Sequence, residues 1–138
     1  KRLLFKNRLI LDSGSDSSSL VGPIYQLFEK ELVEQFSKDN LTRRESDRLC
    51  YYYETKEGPQ LQLYERLPTV AFDLEGQNSV IKLAEAFFHG VDKDGKRYFC
   101  LMFTPAEHDS TLGAPQQTNY RMVFDLKNKL LHFKSENC

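Results

Sequence analysis

Only one stretch of this chain carries a clear helical period, and that limits what the rest can become. Ile24, Leu27, Phe28, Leu32, Val33 and Phe36 fall on one face at helical spacing, and Glu29, Lys30, Glu34 and Gln35 take the other. Gly22-Pro23 stands just ahead, with proline where a first helical turn tolerates a missing N–H. The spacing predicts one main helix near 23–37. Most of what surrounds it reads as short strands and turns. Leu3–Leu11 is rich in Leu, Ile and Phe and predicts one or two strands, ending in Asp12-Ser13-Gly14-Ser15-Asp16-Ser17-Ser18-Ser19, a stretch of turn composition. Lys38–Asp47 is polar and predicts a loop, Cys50–Tyr53 a short strand, Lys56-Glu57-Gly58-Pro59 a turn, and Pro68–Leu74 a strand. Val80–Phe88 is open between helix, favoured by Ala84-Glu85-Ala86, and strand, favoured by its flanks. Asp92-Lys93-Asp94-Gly95 predicts a hairpin turn between Phe87–Val91 and Tyr98–Phe103. Thr111–Leu126 reads as strand, turn, strand, and Asn128–Phe133 as a last strand around a turn at Leu126-Lys127-Asn128. The expectation is a mostly β domain with one main helix.

A chain of 138 residues is long enough for one domain with its own core. A net charge of −1 gives no basic field for nucleic acid or an anionic membrane. No apolar run approaches the roughly 20 residues a membrane helix needs. Lys1-Arg2-Leu3-Leu4-Phe5 has no start Met, shows no signal peptide and leads straight into a strand-like run. It reads as a cut end inside a larger protein, so the missing signal says nothing about compartment. Three cysteines, Cys50, Cys100 and Cys138, fit either buried or free thiols in a cytosolic protein, or one internal bridge with a third cysteine paired elsewhere in a secreted one. Asn40-Leu41-Thr42 is an acceptor triplet for N-glycosylation in a loop-like stretch.

The segment Ile10-Leu11-Asp12-Ser13-Gly14-Ser15 brings an aspartate to the end of an apolar strand. Glycine permits a tight turn that brings backbone N–H groups to the carboxylate, and hydroxyls can donate to its oxygens. That keeps a carboxylate ionised and oriented, which proton sharing with a second carboxylate and water activation require. An Asx-turn after a strand uses the same residue types, so this segment alone does not decide. Other chemistry fares worse. His89, His108 and His132 show no ligand spacing with the cysteines, so no metal site is expected. A calcium loop around Asp92-Lys93-Asp94-Gly95 would place Gly90 and Leu101 where carboxylates are needed. No Gly-x-Ser-x-Gly or phosphate-cradling loop is present. Tyr51-Tyr52-Tyr53 reads as strand, and Leu101-Met102-Phe103 as core rather than pocket.

Towards the other end stand Thr111-Leu112-Gly113, Gln116-Gln117-Thr118-Asn119-Tyr120, Val123-Phe124-Asp125-Leu126 and Leu131-His132-Phe133. With Asp12-Ser13-Gly14-Ser15, Ile24-Tyr25, Leu67-Pro68-Thr69-Val70-Ala71-Phe72 and Phe99-Cys100-Leu101, their order resembles the C-terminal half of plant pepsin-like aspartic proteases of the nepenthesin and xylanase-inhibitor-like group. The resemblance runs from about Leu9 to Cys138. Each motif is short, and the joint order is what is specific.

The resemblance implies a single C-terminal lobe over 1–138, half of a bilobal fold whose N-terminal lobe lies outside this chain. It implies that Asp12 is this lobe's catalytic residue. Ser13 would lie where the lobes hydrogen-bond, Ser15 would donate to the outer oxygen of Asp12, and Gly113 would thread past the Asp12 loop. It implies a Cys50–Cys100 bridge with Cys138 joined to the other lobe, peptide or protein substrates, no cofactor, and secretion to the extracellular space, apoplast or vacuole. Two positions depart from the family pattern. Asp16 puts a second carboxylate four residues from Asp12, and Ser17 replaces an apolar residue. Asp16 either points to solvent or caps a turn, or it raises the pKa of the catalytic pair by like-charge repulsion or marks a lobe with degraded activity. Relatives that kept this fold without its chemistry, glycosidase inhibitors and storage-type proteins, supply the alternative reading. A homodimer giving one aspartate per chain is disfavoured by the odd Cys138.

Overall fold

The computed structural model describes residues 8–38, 41–44, 46, 48–52, 69–74, 77–82, 87–91 and 94–136. The chain enters through β1 (Leu9–Leu11), passes a tight loop, and forms β2 (Ser18–Val21), which runs directly into α1 (Gly22–Phe36). Pro23 sits in the first turn of α1, and Val21 offers no side-chain cap. The helix ends with Ser37 N–H bonded to Val33 O at 3.0 Å.

Two four-stranded sheets carry the fold. The first has the order β1-β10-β2-β9, with β9 (Phe103–Ala106) and β10 (Ser110–Leu112). β1 lies parallel to β10, with Leu11 opposite Leu112, and β2 lies parallel to β9. Neighbours in this sheet therefore come from distant parts of the sequence. The second has the order β3-β4-β8-β7, all antiparallel, from β3 (Thr42–Arg44), β4 (Cys50–Tyr52), β7 (Phe87–Val91) and β8 (Arg97–Leu101). Among the described residues there are also two hairpins, β5–β6 (Thr69–Leu74, Gln77–Lys82) and β11–β12 (Tyr120–Asp125, Leu130–Ser135).

The apolar face of α1 closes the core between the sheets. Phe36 meets Tyr51 at 4.8 Å and Phe99 at 6.0 Å, and Phe28 meets Phe103 at 5.4 Å, all edge to face. Leu20, Tyr25, Leu32, Leu49, Phe72, Leu101 and Leu112 belong to the same cluster. Each such side chain contributes about 1.5–3 kcal/mol of burial. Cys50 and Cys100 stand opposite each other in the β4–β8 register and are joined by a disulfide. The bridge ties the second sheet where it meets this core.

The helix falls where its period places it, and the fold is mostly β. Four segments differ from the sequence reading. Ser18 and Ser19 read as turn yet form β2, because pairing with β9 and β10 overrides their composition. Thr42–Arg44, read as loop, pairs with β4. Tyr98–Phe103, read as one strand, breaks at Met102 and passes into the other sheet. Between Leu112 and Tyr120 the expected turn contains a single helical turn, α2 (Ala114–Gln117). At the ambiguous 80–88 stretch, β6 and β7 are strands on either side of 83–86. Asn40, Cys138, Lys56-Glu57-Gly58-Pro59 and Leu67-Pro68 lie outside the described residues. No described helix is long and apolar enough to cross a membrane.

Candidate active site

Asp12 is the first residue beyond β1, where the strand leaves the sheet. Its N–H still bonds Leu112 O at 3.0 Å, so β10 holds the exact residue at which the chain turns away. The turn closes with Ser15 N–H donating to Asp12 O at 3.2 Å. Both carboxylate oxygens are then engaged. Gly14 N–H donates to Oδ1 at 2.9 Å, and Ser15 Oγ donates to Oδ2 at 2.8 Å. A Cβ on residue 14 would stand 3.2 Å from Asp12 Oδ1, so closeness to the carboxylate is what favours glycine there. Its φ is not positive, contrary to a simple turn argument.

These two donors hold the Asp12 carboxyl below its ordinary value, the Ser15 hydroxyl most and the Gly14 N–H next, with a small opposing effect of desolvation. The sign follows from a lowered folded-state value. The ionised group favours the native state above its ordinary pKa, and that contribution is lost as pH falls through the folded value. Replacing Ser15→Ala should therefore move the Asp12 titration upward, read by carboxyl-carbon NMR. An unmoved midpoint would show that the hydroxyl does not hold the charge.

The base of the loop is built from Gly113 and Ser18. Gly113 passes beneath it, with Ala114 N–H donating to Ser15 O at 2.9 Å. A Cβ on residue 113 would stand 2.3 Å from Ser17 O and 2.8 Å from Ser15 O, both backbone atoms. Gly113→Ala should thus cost at least about 1–3 kcal/mol and displace the Asp12 loop, measurable as a lower urea midpoint. Ser18 is almost fully buried, and its hydroxyl accepts Gly113 N–H at 2.8 Å and donates to Gln116 Oε1. Ser13 and Asp16 are exposed.

The structure thus brings Asp12, Gly14, Ser15 and Gly113 together, in a parallel two-strand crossing with Asp12 on an exposed loop. The profile of the family described as xylanase inhibitor C-terminal matches residues 3–135. The chain belongs to that family. Its fold is that of the C-terminal lobe of pepsin-like proteins. No curated protein matches it at the level of sequence. Among solved structures, the chain is similar to conglutin gamma, a basic 7S globulin from lupine seeds. The TM-score is 0.67 at 20% identity, over 93% of this chain and 32% of that one. It is similar to basic 7S globulin from soybean, at 0.67 and 19%, over 91% and 32%. It is also similar to the protein named edgp, at 0.65 and 16%, over 93% and 32%. At these identities the likeness shows the fold, and the chain spans about a third of each solved relative.

Sequence reasoning missed Ser18 and Gln116 as the buried polar support of the loop. Ser18 hides among Ser17, Ser18 and Ser19, where residue type cannot mark the inward one. Its signal is a step of two from the apolar Leu20. Gln116 stands in the Gln-Gln-x-Asn-Tyr motif without any indication of which glutamine turns inward.

Proposed function

We propose that this chain is the C-terminal lobe of an aspartic endopeptidase, with Asp12 as one of two carboxylates that activate water for peptide-bond hydrolysis. The supporting observation is that both Asp12 oxygens are held by donors on an exposed loop whose base is braced by Gly113. Two carboxylates a few ångströms apart titrate as a pair and hold one proton between them. The ionised member takes a proton from water, the water attacks the scissile carbonyl, and the protonated member donates to the carbonyl oxygen. The second carboxylate would come from an N-terminal lobe, covalently continuous or a separate chain, and Ser13 would lie where that lobe meets the loop. Asp16, exposed on the same loop, is read as solvent-facing. The disulfide fits a secreted protein, in the extracellular space, apoplast or vacuole.

The comparisons favour a second reading more than this one. The family is described by an inhibitor, and two of the solved relatives are named as globulins. On that reading the scaffold binds a glycosidase or serves as a storage-type protein, and the Asp12 loop survives as a structural turn. The complete two-lobed protein, assayed at acid pH on a denatured protein with and without pepstatin, separates them. Pepstatin-sensitive cleavage supports the endopeptidase. No cleavage, together with inhibition of a xylan-degrading enzyme or with neither activity, supports the non-catalytic scaffold.

A further inference from the structure

The Asp12 loop is exposed, yet what holds it is buried. Ser18 stands in β2, clamped between two strands. Its N–H donates to Met102 O at 2.8 Å, its carbonyl accepts from Thr104 Oγ1 at 3.4 Å, and its neighbour Ser19 pairs with Thr111 of β10. Ser18 is 1% exposed. A hydroxyl on so fixed a strand is a more precise anchor than one on a loop.

From that anchor a chain of hydrogen bonds runs to the carboxylate. Ser18 Oγ accepts Gly113 N–H at 2.8 Å. The next residue, Ala114, donates its N–H to Ser15 O at 2.9 Å. Ser15 in turn donates its hydroxyl to Asp12 Oδ2 at 2.8 Å. Gln117 Nε2 steadies the same floor by donating to Leu112 O at 2.8 Å, the carbonyl that also accepts Asp12 N–H.

Gln116 sets which way the anchor points. A serine hydroxyl has one proton and two lone pairs, and it rotates to suit its neighbours. Here the proton goes to Gln116 Oε1, which leaves a lone pair for Gly113 N–H. Gln116 is held by its own N–H, bonded to Gly113 O at 3.2 Å, and it is buried. Its Nε2 has no hydrogen-bond partner among the described residues. A buried donor left unanswered is costly, so this glutamine contributes through its acceptor. Charge does not compete with these bonds. β1, β2, β10 and α2 carry no charged side chain, and on the loop itself the other charged residue is Asp16, which is exposed.

We propose that Ser18 is a positioning residue for Asp12, acting through Gly113, Ala114 and the Ser15 hydroxyl, and that Gln116 fixes the orientation of the Ser18 hydroxyl. Its use in chemistry rests on the endopeptidase reading, but its test does not. A buried polar pair beneath the loop then governs how well the exposed carboxylate is held.

The test is carbon NMR of the complete protein labelled at its aspartate carboxyls, with the Asp12 signal assigned by its loss in Asp12→Asn. Ser18→Ala and Gln116→Met should both raise the Asp12 titration midpoint, in the direction of Ser15→Ala. Ser18→Thr keeps the hydroxyl and should leave the midpoint in place. Leu32→Ala, a core change that touches none of these bonds, should lower the urea midpoint without moving the titration. In a Ser15→Ala background Ser18→Ala should add nothing further, because the route to the carboxylate is already cut. An unmoved Asp12 midpoint in both Ser18→Ala and Gln116→Met would overturn the positioning role, and so would a shift that adds in full to that of Ser15→Ala. An equal shift in Leu32→Ala would overturn it too, by showing general loosening. Should Ser18→Ala not fold, Gln116→Met decides alone. Cleavage is read in no arm, so a failure of the endopeptidase reading in the pepstatin assay leaves this result distinct.

Discussion

On the endopeptidase reading, Asp12→Asn in the complete protein should lower kcat for peptide hydrolysis by roughly 10²–10⁴-fold, the range for removal of one positioned acid–base group. The amide keeps an oxygen for Gly14 N–H, so the loop should persist and thermal stability should change little. It cannot take a proton from water. Steady-state kinetics beside a melting curve separate lost chemistry from lost structure, and an unchanged kcat would remove Asp12 from the mechanism. The wild-type pH–rate profile should be bell-shaped, rising as one carboxylate of the pair ionises and falling as the second follows. The Ser15 hydroxyl and the Gly14 N–H hold Asp12 low and so favour its ionised form.

The second large effect concerns stability. The Cys50–Cys100 bridge spans a sequence separation of 50. A crosslink closing a loop of that length stabilises by roughly 4 kcal/mol in the chain-entropy description. The double variant Cys50→Ala, Cys100→Ala should lose about that much, seen as a lower urea midpoint under oxidising conditions, while wild type treated with reductant should move towards the variant. A midpoint within error of wild type would mean that the antiparallel pairing of β4 with β8 already restricts the unfolded chain.

Much of this fold could be read from residue order because its strongest signals are local. The period of α1 needs only its own side chains, and Pro23 marks its start. The Cys50–Cys100 pairing came from family resemblance and agrees with the observed bridge. What could not be read is non-local. Ser18 and Ser19 become strand because β9 and β10 arrive beside them, and no window around residue 18 contains those partners. The break at Met102 has the same origin. Its carbonyl accepts Ser18 N–H at 2.8 Å, so the chain leaves one sheet to complete another. In the candidate site, Asp12, Gly14 and Ser15 are contiguous and legible. Ser18 and Gln116 are polar groups made useful by burial, which residue type alone does not reveal.

The parallel pairing of β1 with β10 also sets a timetable. Asp12 is made before the strand that holds its N–H, the glycine beneath its loop and the glutamine behind Ser18, which all lie far along the chain from it. During vectorial synthesis the carboxylate therefore remains an unshaped loop until nearly the whole lobe has emerged. A ribosome-bound or truncated chain ending before Leu112 carries the Asp-Ser-Gly-Ser residues without their geometry. Long-range closure of this kind is slow to form, and it makes the arranged carboxylate a late product of folding.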